Sequence, residues 1–171
     1  MDKQRLIDQL QAGIPAILIL DDDLNISSGL KDILEEYGYA VDIANYGAEA
    51  LALLDRKTFS TLITDYCLPD DNGVNISRQA KEKNPFLGLI MMTGHDRKQI
   101  KEKMDENEVL FLRKPIPVPV LLESLERTLQ RQCEALGITR GNTPPLAAPA
   151  DLATPPQTAA PDIQEPINLP S

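Results

Sequence analysis

The sequence predicts an α/β fold, a doubly wound five-stranded parallel sheet with helices on both faces. Three observations predict it. Five short apolar runs recur along residues 16–136, each followed by a segment with helical spacing of its apolar residues. Alternating strands and helices pair in parallel and cover both sides of one sheet. Right-handed crossovers narrow the topologies to a doubly wound sheet. Finally, four of the five runs end in polar or charged residues, and such sheets bind ligands beyond the carboxyl ends of their strands.

The first dozen residues read as a short helix with Leu6, Ile7 and Leu10 on one side, ended by Gly13 and Pro15. Ile17–Leu20 is too short and too uniformly apolar for a surface helix, and fits a strand buried on both faces. Ile26, Leu30, Ile33, Leu34 and Tyr37 follow at helical spacing, with Asn25 as the expected N-cap and Gly38 as the stop. Ala40–Ala44 is the second strand, Gly47–Arg56 a helix, and Thr61–Thr64 the third strand. Val74–Lys83 is a helix stopped by Asn84-Pro85, Leu87–Met92 a strand, and Arg97–Glu106 a strongly charged helix. Val109–Leu112 is the fifth strand and Val118–Leu136 the last helix.

The chain therefore divides into an N-terminal helical extension (1–14), an α/β domain (15–136) and a Pro/Ala-rich tail (137–171). Eight of the 14 prolines fall after Gly137, no helical or strand period survives there, and disorder or polyproline character is expected. A net charge of −9 argues against a nucleic-acid surface, which needs clustered Lys and Arg. No run of about 18 apolar residues is present, so no membrane helix is expected. Cys67 and Cys133 lie far apart and outside any metal spacing, which suits two free thiols in a cytoplasmic protein.

The strand ends carry the chemistry. Ile17–Leu20 runs into Asp21-Asp22-Asp23, Thr61–Thr64 into Asp65, Leu89–Met92 into Thr93-Gly94, and Val109–Leu112 into Arg113-Lys114-Pro115. Two carboxylates ~4 Å apart repel by about 4 kcal/mol at an effective dielectric of 20. Asp21, Asp22 and Asp65 brought together thus call for a cation, and an all-oxygen site with few protein ligands suits Mg²⁺. Mg²⁺ and Lys114 would neutralise a phosphoryl group while Thr93 donates a hydrogen bond. Asp65, ending the central strand, is the best nucleophile for an acyl phosphate; Asp21 and Asp22 are better placed to hold the metal.

Taken together, Asp21-Asp22, Asp65 with Leu68-Pro69 and Gly73, Thr93-Gly94 and Lys114-Pro115 resemble the signature of response-regulator receiver domains of two-component signalling, over roughly Ala16 to Leu136. The resemblance implies a flavodoxin-like sheet of strand order 2-1-3-4-5. It implies that Asp65 receives phosphate from a histidine kinase or a histidine phosphotransfer protein. Asp22 would bind Mg²⁺ directly and Asp21 through water, and the backbone carbonyl of Cys67 would be a further ligand. Thr93 and Phe111 would be the switch residues, and the Lys114–Pro115 bond would be cis. The face of the charged helix, the fifth strand and the last helix would receive a downstream effector, and no nucleic acid or membrane is implied.

Some residues depart from the family pattern. Leu68 stands where Met is usual before Pro, and Gly94 where Ala is common. Phe111 lacks the hydroxyl of a switch Tyr, so burial must favour its inward state. Pro117 and Pro119 stiffen the entry to the last helix.

Alone, each motif has a plainer reading. Asp21–Asp23 can be turn or capping residues, Thr93-Gly94 a turn, and Tyr37, Tyr39 and Tyr46 core or rim packing. Asp23 reads as a surface or capping residue. His95, the one histidine, reads as an exposed loop residue, or as a neighbour of the pocket that governs water access. No output segment is recognised after Gly137, so signalling is expected to run through a partner. Two other functions compete: a constitutive binding scaffold of the same fold, and a phosphohydrolase of the haloacid dehalogenase type. The latter would use Asp21 as nucleophile and Asp23 as acid/base, and would leave the segment from Asp65 to Gly73 without a role.

Overall fold

The computed structural model describes residues 3–94 and 109–139. Its elements run α1 (Lys3–Ala12), β1 (Ala16–Leu20), α2 (Leu24–Glu36), β2 (Ala40–Ala44), α3 (Gly47–Arg56), β3 (Thr61–Asp65), α4 (Gly73–Lys83), β4 (Gly88–Thr93), β5 (Val109–Arg113) and α5 (Val118–Leu136). The expected helix over 97–106, His95 and most of the tail lie outside the described residues. Among those described, no helix is long and apolar enough to cross a membrane.

The strands form one sheet in the order β2-β1-β3-β4-β5, all neighbours parallel, as the sequence predicts. Side chains alternate across a strand, so each apolar run feeds two cores. Ile17, Ile19, Ile63, Ile90, Met92 and Leu112 face a cluster with Leu34 of α2 and Leu121, Leu125 and Leu129 of α5. Leu18, Leu20, Leu62, Leu89, Met91, Val109 and Phe111 face Ala50 and Leu54 of α3 and Val74, Ile76 and Ala80 of α4. Burial on both faces explains the unbroken apolar runs.

Helix α1 is part of this packing. Leu6 and Leu10 are fully buried in the α2/α5 core. Gln9 donates its side-chain amide to the Thr58 carbonyl at 3.1 Å, and the Lys3 ammonium lies 5.1 Å from the Phe86 ring centre. Both contacts are to loops entering β3 and β4, at the sheet edge away from Asp65. Gly13, with φ of 72°, supplies the left-handed turn that releases the chain into β1.

Helix α2 differs from its sequence reading at its start. The cap is Asp23, not Asn25: its carboxylate accepts hydrogen bonds from the Asn25 and Ile26 amides, at 2.9 and 3.4 Å. Apolar periodicity missed the first turn because Leu24 is 60% exposed, and Ile26, expected on the core side, is 37% exposed. Gly38 at φ 80° ends the helix as expected, with Tyr39 N–H returning to the Leu34 carbonyl. Midway along α2, Gly29 is exposed and a Cβ there would meet nothing within 4 Å. Gly29→Ala is therefore expected to stabilise the fold by about 0.5–1 kcal/mol, the helical cost of glycine relative to alanine. Chemical denaturation reads this as a higher midpoint at unchanged slope; a lower midpoint would contradict the packing described.

Candidate functional site

The sheet register assembles the site. Leu20 of β1 pairs with Thr64 of β3, so Asp21, one residue past β1, comes beside Asp65, the last residue of β3. Carboxylate oxygens of Asp21, Asp22 and Asp65 lie within 4.8 Å of one another. Asp21 is only 1% exposed, Asp65 is half-buried and Asp22 is exposed, so the cluster opens to solvent on one side.

Lys114 enters from the far end of the sheet. Thr93 pairs with Arg113, and the Lys114 amide donates to the Thr93 carbonyl at 2.9 Å, which aims the next side chain across β4. Its ammonium lies 2.7 Å from Asp21 Oδ2 and 3.1 Å from Asp65 Oδ2. The peptide bond that follows, Lys114–Pro115, is cis. Burial alone would lower the Lys114 pKa; hydrogen bonds to Asp21 and Asp65, with the charge of both, outweigh it and hold the group above its ordinary value. A raised lysine contributes stability that is complete below its unfolded pKa near 10.5 and is lost only as pH rises through the higher folded value. Across the neutral range the ammonium is fixed in its charged state.

Among the described residues one ammonium faces three carboxylates, an excess of about two formal negative charges. Oxygen-only donors at this spacing, open to water on one side, fit a small hard divalent cation such as Mg²⁺. Asp21, Asp22 and Asp65 thus form a group able to hold such an ion.

The loop after Asp65 is folded tightly. Tyr66 N–H donates to the Met92 carbonyl at 2.9 Å, and Gly73 N–H returns to the Tyr66 carbonyl at 2.9 Å. Cys67 and Asn72 pair in an antiparallel bridge, with the Cys67 side chain exposed. Asn72 caps α4 by accepting from the Asn75 amide at 3.0 Å. Thr93 is fully buried at the end of β4. Phe111 is 9% exposed, packed inward in the cluster of Leu89, Met91 and Val109.

The structure therefore gathers Asp21, Asp22, Asp65 and Lys114 at one edge, with Thr93 joined to Lys114 through the backbone. Asp23 Oδ1 caps α2, the capping role expected of it, and its amide donates to Asp21 Oδ1 at 3.0 Å. A residue the sequence reading passed over is Asp70, whose carboxylate reaches the first amides of α3. No local spacing signals a contact across 23 residues. The one available hint is that Tyr46, at the α3 N-cap, has no side-chain acceptor suited to capping.

Comparison with known proteins agrees with this geometry. The family described as "Response regulator receiver domain" matches residues 17–126. The response regulator receiver protein CpdR of Brucella abortus is 31% identical over 114 residues, covering 66% of this chain and 95% of that protein. The two-component response regulator PprB of Pseudomonas aeruginosa is 31% identical over 121 residues, covering 68% of this chain. The chain spans only 44% of PprB's length. Among solved structures, a CheY-like response regulator receiver domain protein from Methanospirillum hungatei superposes with a TM-score of 0.68 at 31% identity, covering 71% of this chain and 98% of that one.

Proposed function

The chain belongs to the response regulator receiver domain family, and on that footing we propose that it is a phosphoacceptor switch in which Asp65 takes a phosphoryl group from a histidine kinase or a histidine phosphotransfer protein. The observation that carries this reading is the convergence of Asp21, Asp22 and Asp65 on Lys114 at the carboxyl edge of the sheet. Asp65 ends the central strand and is the more accessible of the two carboxylates that touch Lys114.

Chemically, an Asp65 carboxylate oxygen attacks phosphorus as the donor's P–N bond breaks; the imidazole nitrogen leaves with the electron pair and an acyl phosphate remains. Lys114 neutralises charge on the phosphoryl oxygens, and the Thr93 hydroxyl donates a hydrogen bond to one of them. Asp22, Asp65 and the Cys67 carbonyl would hold Mg²⁺, with Asp21 acting through water. When bound, the ion would neutralise the negative charge shared by carboxylates and phosphoryl group. Phe111 reports the phosphorylation state through its packing, its inward position favoured by apolar contacts.

Leu24 and Ile26, exposed at the start of α2 just past Asp22, give the phosphodonor an apolar surface beside the site. We place the output in contact with an effector protein on the face that includes β5 and α5; the charged segment 97–106, expected to complete it, lies outside the described residues. Two cysteines outside any disulfide suit a cytoplasmic location. Apart from accepting and losing its own phosphate, the protein acts in signalling and not as an enzyme on other substrates.

The test is intact mass after incubation with a small phosphodonor and Mg²⁺, with Asp65→Asn alongside. One added phosphate on the wild type, absent from the variant and absent without Mg²⁺, is expected. Phosphate persisting on the variant would move the nucleophile to Asp21. No phosphate on the wild type from either a small donor or a phosphotransfer protein would favour a constitutive scaffold.

A further inference from the structure

Helix α3 begins without a cap of its own. Its N-cap residue, Tyr46, has extended backbone (φ −136°, ψ 150°), makes no side-chain capping bond, and is 55% exposed. The first turn is satisfied from elsewhere in the chain. Asp70 Oδ1 accepts from the Gly47 amide at 3.0 Å and Oδ2 from the Ala48 amide at 3.2 Å. A negative carboxylate on the two leading amides also complements the positive end of the helix dipole.

Asp70 sits midway through the loop that leaves the phosphoacceptor. Elsewhere the loop is held by Tyr66 N–H to the Met92 carbonyl, Gly73 N–H to the Tyr66 carbonyl, the Cys67–Asn72 bridge, and the Asn72 amide and Asn75 side-chain amide donating to Asp71 Oδ1. Through Asp70 it reaches across to α3. The seat there is tight. A Cβ on Gly47 would lie 2.5 Å from Ile76 Cδ1 and 3.4 Å from Asp70 Oδ2, so the start of α3 is pressed against both α4 and the loop.

We propose that Asp70 is a positioning residue for the phosphoacceptor site, fixing the 66–72 loop, and with it the Cys67 carbonyl, against the N-terminus of α3. This rests on the reading of Asp65 as an Mg²⁺-dependent phosphoacceptor. A helix needs only a local acceptor to be capped, whereas a carboxylate that spans 23 residues and engages two amides fixes the separation of two elements. The Gly47 amide, ahead of the opposing effect of desolvation, and then the Ala48 amide hold the Asp70 carboxyl below its ordinary pKa. A depressed carboxyl contributes its tether above the unfolded value near 3.8 and loses it as pH falls through the lower folded one, so the tether is in place at neutral pH.

The experiment separates tether from cap. Asp70→Ala removes both; adding Tyr46→Ser returns a local N-cap to α3 but not the link to the loop. Melting temperature reports the cap, and Mg²⁺ titration by calorimetry, at a temperature where every variant is folded, reports the loop. Asp70→Ala is expected to lower both, with Mg²⁺ affinity reduced at least fivefold. The double variant is expected to recover melting temperature while Mg²⁺ affinity stays reduced. Asp70→Asn, which keeps one acceptor oxygen, is expected to fall between wild type and Asp70→Ala. Wild-type Mg²⁺ affinity in any folded variant lacking the carboxylate overturns the positioning role. A wild-type chain that binds no Mg²⁺ overturns the phosphoacceptor reading as well, so the two failures are distinct.

Discussion

Lys114→Met is expected to destabilise the protein by about 3 kcal/mol in the absence of divalent cation, the lower end of what removing one partner of a buried ion pair costs. The magnitude follows from what is left behind. Asp21 is 1% exposed and Asp65 only 15%; the Lys114 ammonium lies 2.7 and 3.1 Å from their Oδ2 atoms, while the Asp23 and Tyr66 amides donate to the Oδ1 atoms. Methionine fills the space of the lysine stem, so the loss is electrostatic and not a packing defect. Lys114 keeps 21% exposure, which places the figure below the cost for a fully enclosed pair. Mg²⁺ at a hundredfold excess over its Kd stabilises a folded protein by about 2.7 kcal/mol. In the variant the ion meets these carboxylates without competition from Lys114, so Mg²⁺ is expected to restore most of the loss while phosphate uptake remains abolished. Urea denaturation with chelator and with Mg²⁺ reads both terms. The stability gap should be flat through neutral pH and close only above the ordinary lysine value of 10.5, because Lys114 titrates higher in the fold. Equal stability of the two proteins in chelator would show that Asp21 and Asp65 do not depend on Lys114.

How much of this was legible beforehand depended on whether the signal was local. The strands were, because double burial forces unbroken apolar runs such as Ile17–Leu20, and the strand ends follow from them. The order 2-1-3-4-5 entered through the family resemblance; periodicity alone reaches a doubly wound sheet and stops there. Strand β3 carries one residue more than the apolar run, since Asp65 continues the backbone ladder although its side chain breaks the pattern. The start of α2 was misread because an exposed Leu24 and Ile26 hide the helix from a periodicity argument, while the cap bond of Asp23 is a matter of geometry. Contacts made across the chain were invisible: Asp70 to α3, Gln132 from α5 to the carbonyls of Ser60 and Phe86, and Gln9 of α1 to Thr58. Each joins a side chain to the backbone of a distant segment, and one sequence contains no term that pairs them.

Gly73→Ala is expected to cost about 2 kcal/mol and to disable phosphate uptake together. Gly73 opens α4, where exchanging glycine for alanine would ordinarily gain up to about 1 kcal/mol of helix propensity. Steric contact decides against that gain. A Cβ at this position would stand 2.2 Å from the Asp65 carbonyl oxygen, 3.1 Å from its carbonyl carbon and 3.2 Å from Tyr66 Cα. All three are backbone atoms, so no side chain can rotate away to make room. Overpacking costs typically about 1–3 kcal/mol, and a clash with backbone belongs at or beyond the upper end. Relief must come from moving either the start of α4 or the end of β3. The first breaks the Gly73 N–H bond to the Tyr66 carbonyl and loosens the loop carrying Cys67. The second displaces the Asp65 carboxylate from Lys114 Nζ, now 3.1 Å away. Either movement spoils the charge arrangement on which transfer depends, so stability and phosphorylation should fall together. Gly29→Ala, the same substitution in open space on α2, serves as the control that should raise stability and leave phosphate uptake intact. A Gly73→Ala protein as stable as wild type, phosphorylating at the wild-type rate, would show that the loop has slack at this point, and the close approach of α4 to Asp65 would then not define the site.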